Sequence, residues 1–358
     1  MSSTEVASHY NSVRQTGIEE RKQSRIFYLR NMNNWMKSML INEALDELKR
    51  GGGDVPRGRG VRVLDLACGK GGDLRKWGIA GAASVVMADV AEVSIEQAKG
   101  RYEEMKRRDR NLFPAQFIVA DCCKEDLSSK VDVAFQPFDL VSCQFALHYS
   151  FIDESSARCF IRNATALLRP GGIFIGTLPD AERIVWAARS ASAGDGRWAN
   201  LVCSVSYDKE SSSLAAPPLF GATFHFTLDE QVNCPEFLAY FPLLTRLLEE
   251  EGMELMFSRR FPEAAETWLK KENSLDGLRL AERMQGLEDI PRRQTAEDEP
   301  AEDDEYAHVA DVKRREENVG TLSRSEYEAF SMYLVFAFRK KAASAASTEG
   351  VEKEKTVT

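Results

Sequence analysis

An α/β fold built on a doubly wound, mainly parallel sheet is what this chain predicts, and three observations predict it. Short apolar runs alternate with stretches of helical periodicity between residues 61 and 178, the pattern of strands joined by right-handed helical crossovers. The first apolar run breaks into a turn with three glycines, Gly69, Gly71 and Gly72, immediately before a helical pattern. A strand, glycine turn and helix start in that order let backbone N–H groups come close to a nucleotide-like ligand. Finally, a strong strand pattern at 331–339 closes the ordered part of the chain.

The elements follow in order. Residues 1–24 are polar and read as a loosely ordered N-terminal segment. From 24 to 50, Ile26, Leu29, Met32, Met36, Met39, Leu40, Ala44, Leu45 and Leu48 recur at helical spacing and predict a helix, followed by a glycine-rich loop at 51–60. Strands are expected at 61–66, at 83–88 ending on Asp89, at 115–120 ending on Asp121, at 138–143 and at 172–178. Helices are expected at 93–108 and 155–168, the second stopped by Arg169, Pro170, Gly171 and Gly172. After Pro179 the pattern loosens, and the Ser-, Ala- and Gly-rich stretch 190–220 reads as an insertion with irregular strands. A helix at 237–251, a sixth strand at 254–261 and a helix over 264–286 lead into an acidic segment. Seven carboxylates fall within the nine residues 297–305, which should stay solvated. The tail after Lys341 has the composition of a disordered segment. One domain over 25–339 is therefore expected, with insertions at about 185–225 and 287–325 and a disordered tail at 340–358.

Composition narrows the function classes. The chain has 358 residues, 43% of them hydrophobic, enough for a sizeable core. Its formal net charge of −9 excludes a basic nucleic-acid coat, but not an enzyme that confines positive charge to one cleft. Residues 1–15 lack an apolar core, so no signal peptide is expected, and no apolar run is long enough for a membrane span. The seven cysteines include adjacent Cys122 and Cys123 but no C-x-x-C spacing. That argues against a zinc site or a disulfide framework, and for reduced thiols in a cytosolic or nuclear protein.

The chemistry-bearing positions lie at predicted strand ends. Neither G-x-G-x-x-G nor G-x-x-x-x-G-K-[ST] occurs, so the turn from Asp65 to Asp73 is neither a dinucleotide fingerprint nor an NTPase loop. Asp89 ends the second strand, where α/β folds present a carboxylate to a ribose diol; its alternative is a cap for the helix that follows. Asp121 ends the third strand and could accept from an adenine amino group, or be a solvated loop aspartate. Gln144, Phe145, His148 and Tyr149 follow the fourth strand, the kind of group that stacks a planar base. Two basic runs stand out. Arg14, Arg21, Lys22, Arg25, Arg30 and Lys37 precede the core, and Lys99, Arg101, Lys106, Arg107, Arg108 and Arg110 lie on or after the second crossover helix. Each reads as a solvated helix face or as a seat for polyphosphate or RNA.

The D-x-A-x-G-x-G-G turn resembles the cofactor loop of class I S-adenosylmethionine methyltransferases. Further blocks sharpen the likeness. His9-Tyr10-Asn11, Leu29 to Lys37 (L-R-N-M-N-N-W-M-K), Leu74-Arg75-Lys76-Trp77, Ser142 to Ser150 (S-C-Q-F-A-L-H-Y-S), Pro235 to Pro242 and Tyr333 to Arg339 together resemble the eukaryotic mRNA cap guanine-N7 methyltransferases, from about His9 to Arg339. The resemblance implies a Rossmann-like class I methyltransferase fold: a seven-stranded, mostly parallel sheet with helices on both faces and inserted segments. It implies S-adenosyl-L-methionine as cofactor, held by Lys37, the loop at Ala67, Asp89, Asp121, Gln144 and Tyr149, with S-adenosyl-L-homocysteine as product and no metal. It implies a cap site of Asn33, Asn34, Lys70, Lys76, Arg101, His148, Glu236 and Tyr333. Glu236, His148 and Tyr333 would position and stabilise the base electrostatically, with no residue acting as acid or base; read alone, Glu236 is a surface glutamate opening a helix. The family usually carries glycine where this chain has Ala67, and a negative φ there would let alanine fit. Tolerance is expected because the neighbouring glycines remain. The implied partners are 5'-capped mRNA and, around it, an activating subunit, a capping guanylyltransferase or the RNA polymerase II machinery, in the nucleus and without a membrane. A methyltransferase for another RNA or a small molecule, or a non-catalytic binding module on the same fold, are the alternatives.

Overall fold

The computed structural model describes residues 23–50, 60–190, 196–207, 216–229, 231–270, 276–291, 305–309 and 318–342. The expected N-terminal segment up to residue 22, most of the glycine-rich loop, residues 297–304 of the acidic stretch and the tail from 343 lie outside them.

In chain order the first half runs α1 (Phe27–Arg50), β1 (Arg62–Leu66), α2 (Leu74–Ile79), β2 (Ser84–Asp89), α3 (Glu92–Arg108), β3 (Ala115–Val119), β4 (Phe138–Gln144), α4 (Glu154–Thr165) and β5 (Leu168–Pro179). The second half runs α5 (Ala181–Ser190), β6 (Arg197–Ala199), β7 (Cys203–Tyr207), β8 (Thr223–Leu228), β9 (Val232–Phe237), α6 (Phe241–Glu250), β10 (Met253–Arg260), α7 (Phe261–Leu269), α8 (Gly277–Met284), β11 (Glu288–Pro291), β12 (Asn318–Thr321), α9 (Arg324–Phe330) and β13 (Tyr333–Lys340).

The central sheet has seven strands in the order β10-β13-β5-β4-β1-β2-β3. β1 to β5 are mutually parallel, and β13 enters antiparallel between β5 and β10. This is the expected Rossmann-like methyltransferase sheet. Side chains alternate between its two faces: Val63, Val85, Leu140 and Ile173 join the core beneath α1, while Leu64, Val86, Val141 and Phe174 join the core on the other side. α1 is anchored at its middle by Trp35, fully buried, whose indole N–H donates to the Gly277 carbonyl at 2.9 Å. The strand order reverses between β1 and β4, so the segments leaving their carboxyl ends diverge and open a crevice. The Asp65–Asp73 turn follows β1, and the Gln144–Tyr149 segment follows β4.

Several expected boundaries move, each for a local reason. The helix expected to 168 ends at Thr165, and Arg169 to Gly172 belong to β5 rather than to a turn. Gly171 takes φ +72°, and a Cβ on Gly172 would stand 2.6 Å from Leu168 Cδ1, so only glycine lets the strand start this tightly. The expected helix at 237–251 begins at Phe241, with Pro242 in its first turn. Residues 232–237 are instead strand β9, so Glu236 lies on a strand and not at a helix start. The helix over 264–286 is two helices, α7 and α8. The insertion is more regular than its composition suggests: β6 to β9 form their own antiparallel sheet in sequence order. Helix α9, absent from the expectation, carries a capping box in which Ser323 Oγ accepts from the Glu326 N–H at 3.2 Å and the Ser323 N–H donates to Glu326 Oε2 at 3.3 Å.

The glycine turn is held from below. Asp65, buried in β1, accepts from the Trp77 indole N–H at 3.0 Å and ties α2 to the strand. Gly71 takes φ +70°, and a Cβ there would meet Ala98 of α3 at 3.0 Å, so the turn rests directly on that helix. Ala67 has φ +52°. The condition under which alanine fits without strain is therefore not met: its methyl sits in the left-handed region that glycine occupies freely. The left-handed cost is about 1–2 kcal/mol, partly offset by about 0.4–1 kcal/mol because glycine frees the unfolded chain. Ala67→Gly should therefore raise unfolding stability by about 0.5–1 kcal/mol; a loss in denaturant unfolding would sink the strain account. A second expectation concerns pH. Burial, and then the charge of Asp73, push the Asp65 carboxyl well above the ordinary carboxylate range. An acid with a raised folded pKa binds its proton more tightly folded than unfolded, so it costs stability as pH rises through that interval. Wild type should lose stability relative to Asp65→Asn between about pH 4 and neutrality; parallel pH profiles would refute this.

Candidate functional site

The candidate residues gather at the carboxyl edge in three groups. The first is ionic. Asp73, buried at the start of α2, receives Lys37 from α1 and Lys76 from α2. Lys37 Nζ stands 2.8 Å from Asp73 Oδ1 and 3.0 Å from Oδ2, and Lys76 Nζ stands 2.7 Å from Oδ1. Lys76 also donates to Asn34 Oδ1 at 3.2 Å. Burial alone would raise the Asp73 carboxyl, but the two ammonium groups hold it well below the ordinary range. Lys76 is lowered by burial and then by the charge of Lys37. One carboxylate thus fixes two lysines from different elements. Sequence reading did not single out Asp73, although its place at a helix start beside three glycines was the available signal.

The second group brings together side chains from the end of β4, the turn that follows it, β9 and β13. Gln144 ends β4 and donates to Ser142 Oγ at 3.0 Å. His148 and Tyr149 lie on a short 3-10 turn, Leu147–Ile152, their rings 4.3 Å apart and tilted by 37°. Glu236 reaches them from β9 of the insertion sheet. Its Oε1 accepts from the Tyr149 hydroxyl at 3.2 Å, and its Oε2 stands 3.3 Å from His148 Nε2, near enough for ion pairing but not aligned as a hydrogen bond. Cys234, two residues earlier, lies 3.7 Å from the same hydroxyl. Tyr333, the first residue of β13, packs edge-on against Phe145 at 5.2 Å and beside Phe261 at 5.6 Å. Phe145 itself has φ +59°, and its N–H is caught by the Thr177 carbonyl and hydroxyl at 3.0 and 2.9 Å.

The third group is the strand-end pair and its flank. Asp89 does not cap α3 directly. Its two oxygens accept from the Gly69 N–H and the Ala91 N–H, both at 2.8 Å, so it braces the glycine turn and the entry to α3. Burial raises it against those backbone bonds. Asp121 binds its own loop, accepting from the Cys123 N–H at 3.0 Å and pairing with Lys124 at 3.1 Å; the Ala120 N–H donates to the Asp89 carbonyl at 3.0 Å and ties that loop to the end of β2. Lys70 stands beside Arg101 of α3, and burial followed by the Arg101 charge lowers its pKa. The basic run preceding the core does not form a patch among the described residues: Arg25 turns to the Leu201 carbonyl and Asp229, and Lys37 to Asp73.

Seven buried side-chain polar atoms lack a hydrogen-bond partner among the described residues, and five of them belong to Asn33, Gln144, His148 and Glu236. The turn is open as well, since a Cβ on Gly69 or Gly72 would meet nothing within 4 Å. Unmatched polar atoms beside an open glycine turn fit a nucleoside cofactor and a second planar ligand. Among the described residues, no group of three or more His, Cys, Asp or Glu is arranged to hold a metal ion.

Comparison with known proteins agrees with this geometry. The family model described as the mRNA (guanine-N(7))-methyltransferase domain matches residues 1–341. The chain is 56% identical over 357 residues to the mRNA cap guanine-N(7) methyltransferase of Caenorhabditis elegans, covering 98% of this chain and 90% of that protein. It is 41% identical over 342 residues to the corresponding protein of Drosophila melanogaster, covering 94% and 76%, and 37% identical over 345 residues to mRNA cap guanine-N(7) methyltransferase 1 of Oryza sativa subsp. japonica, covering 95% and 82%. With its glycine turn, its His148–Glu236 pocket and a family match across nearly its whole length, the chain belongs to the mRNA (guanine-N(7))-methyltransferase family.

Proposed function

We infer that this chain transfers a methyl group from S-adenosylmethionine to N7 of the guanosine that caps 5'-capped RNA. The observation that carries the residue-level reading is the set of buried, unpartnered atoms on Asn33, Gln144, His148 and Glu236. A buried polar group left unpaired costs about 1–3 kcal/mol. His148 Nε2 and Glu236 Oε2 face each other at 3.3 Å, which leaves Asn33 Oδ1, Gln144 Oε1 and His148 Nδ1 as atoms whose bonds are best understood as kept for ligands. On this reading Lys37, the loop at Ala67, Asp89, Asp121, Gln144 and Tyr149 hold the cofactor. Asn33, Asn34, Lys70, Lys76, Arg101, His148, Glu236 and Tyr333 hold the cap.

Guanine N7 carries a lone pair and no proton, so no general base is required. Held by these residues, S-adenosylmethionine would supply an electrophilic sulfonium methyl to the N7 lone pair, with S-adenosylhomocysteine as the product. What the protein contributes is alignment and field. The guanine ring becomes cationic during transfer, and the Glu236 carboxylate, in a buried pocket where charges are weakly screened, favours that charge. The His148 and Tyr149 rings and the Tyr333–Phe145 pair support stacking of a planar base. Lys70 beside Arg101 is a pair of like charges that an anionic triphosphate would relieve. The substrate's chemistry makes a capping guanylyltransferase the preceding activity and the nucleus the expected compartment, with an activating subunit or RNA polymerase II as candidate neighbours.

The decisive assay offers labelled S-adenosylmethionine and GpppG-capped RNA, then maps the methylated atom. Label anywhere other than N7, or on RNA that already carries 7-methylguanosine, would overturn the reading. Glu236→Ala and His148→Ala should each lower kcat/KM by about 10²–10³ while cofactor affinity by calorimetry stays within about threefold; full activity in both would remove the guanine pocket. Asp89→Ala should weaken cofactor binding by at least about tenfold, since one charge-assisted hydrogen bond contributes roughly 1.5–3 kcal/mol. Unchanged affinity would count against its ribose role.

A further inference from the structure

Apart from Arg101, the second basic run remains outside the site described so far. Lys99, Lys106, Arg107, Arg108 and Arg110 are all exposed, and none forms an ion pair among the described residues. Arg75 on α2 is likewise exposed and without an ion pair there. Several other surface cations close on carboxylates, among them Lys49 on Asp46, Arg50 on Glu47, Arg158 on Glu154 and Glu250, Arg246 on Glu250 and Arg324 on Glu328. Arg162, Arg283 and Lys341 are exposed and without ion pairs among the described residues, but scattered over the chain. The helix macrodipole favours cations in the last turn of α3, which accounts for Lys106, Arg107 and Arg108 but not for Arg75, Lys99 or Arg110. Asp109, the acidic member of the final stretch, is turned onto its own backbone, accepting from the Asn111 N–H at 2.9 Å.

These cations continue from the phosphate side of the site. The glycine turn rests on Ala98, and Lys70 stands beside Arg101, one helical turn further on. Arg108 lies seven residues after Arg101 on the same face of α3, about 10 Å along the axis, a span of roughly three phosphates at duplex spacing. α2 runs alongside: a Cβ on Gly78 would meet Met105 of α3 at 3.8 Å, and Arg75 sits one turn before Gly78 on that side.

We propose that the outer surface of α2 and the C-terminal half of α3 seats the RNA chain that follows the cap, with Arg75, Arg107, Arg108 and Arg110 contacting its phosphates. This rests on the reading of the chain as a cap methyltransferase and extends it from the cap to the transcript body. A group of exposed cations without ion pairs among the described residues, on an otherwise acidic protein, attracts a polyanion independently of sequence. Of the polyanions that could lie there, the substrate's own chain arrives with its first phosphates already beside Lys70 and Arg101.

The test compares GpppG with a capped 20-nucleotide RNA as substrates for wild type and for the quadruple variant Arg75→Gln, Arg107→Gln, Arg108→Gln, Arg110→Gln, across a salt series. In wild type, kcat/KM for the capped 20-mer should exceed that for GpppG and fall steeply with salt. The variant should raise KM for the 20-mer by at least about fivefold at low salt and flatten the salt dependence by roughly 0.7 in slope per lost phosphate contact. Its rate on GpppG should not change, and its melting temperature should fall by no more than a few degrees, since all four side chains are exposed and only the helix-end charges of Arg107 and Arg108 are lost. A variant that handles both substrates as wild type does, or that loses GpppG and the 20-mer equally, overturns the proposal. Wild type inactive on both substrates would instead bring down the cap reading itself.

Discussion

Asp73 carries a negative charge into a buried position, and the geometry of the carboxyl edge is organised around keeping it there. A buried carboxylate without partners is costly; Lys37 and Lys76, both within 3.0 Å, offset that cost. They come from different elements, so the ion pairs also lock α1, the glycine turn and α2 to one another. The same charge reaches downward, since it helps keep the proton on Asp65, which anchors Trp77. Removing Asp73 would leave two lysines facing each other, with the turn between them no longer held. The two implied ligand sets meet at this carboxylate: Lys37 belongs to the cofactor side, and Lys76, through Asn34, to the cap side.

Strain collects in the same place. Ala67 follows β1 and Phe145 follows β4, both with left-handed φ in non-glycine residues. They sit at the two strand ends between which the order of the sheet reverses. Such conformations persist only where surrounding contacts over-determine them, and the contacts are visible. Asp89 grips the Gly69 N–H beyond Ala67, and Thr177 takes the Phe145 N–H with both its carbonyl and its hydroxyl. The twist at Phe145 brings its ring edge-on to Tyr333. Backbone strain at β4 thus sets where an aromatic wall of the pocket stands.

Much of this was legible from sequence, because buried parallel strands advertise themselves as short apolar runs and glycine turns as breaks in them. Asp89, Gln144 and His148 were readable because they end or follow such runs. Glu236 was harder to place. Among the described residues its strand pairs only with β8 of a small antiparallel sheet, and it contains Pro235, so period-2 alternation is weak and a helix start looked equally plausible. α9 was hidden for the opposite reason: seven residues between two strands are too few to display helical periodicity, although Ser323 and Glu326 spelled out its capping box. Asp73 escaped because its local signal, a helix start beside three glycines with Lys76 at i+3, does not reveal a shared counter-ion; its second partner, Lys37, lies 36 residues away on a helix that tertiary packing brings near.

Electrostatics then explain how an acidic protein can hold a polyanionic substrate. Its positive charge is not spread out. Lysines that would repel a cofactor or each other are neutralised at Asp73, while at the turn burial, followed by the charge of Arg101, lowers the Lys70 pKa. The insertion works with the reverse sign: β9 brings the Glu236 carboxylate against His148 and Tyr149. Under the proposed function, the site is polarised along the length of a capped nucleotide, with the negative charge at the base and the positive charge at the phosphates. Neither the sheet nor the glycine turn alone could create that gradient, because its negative pole is carried on an element the core fold does not contain.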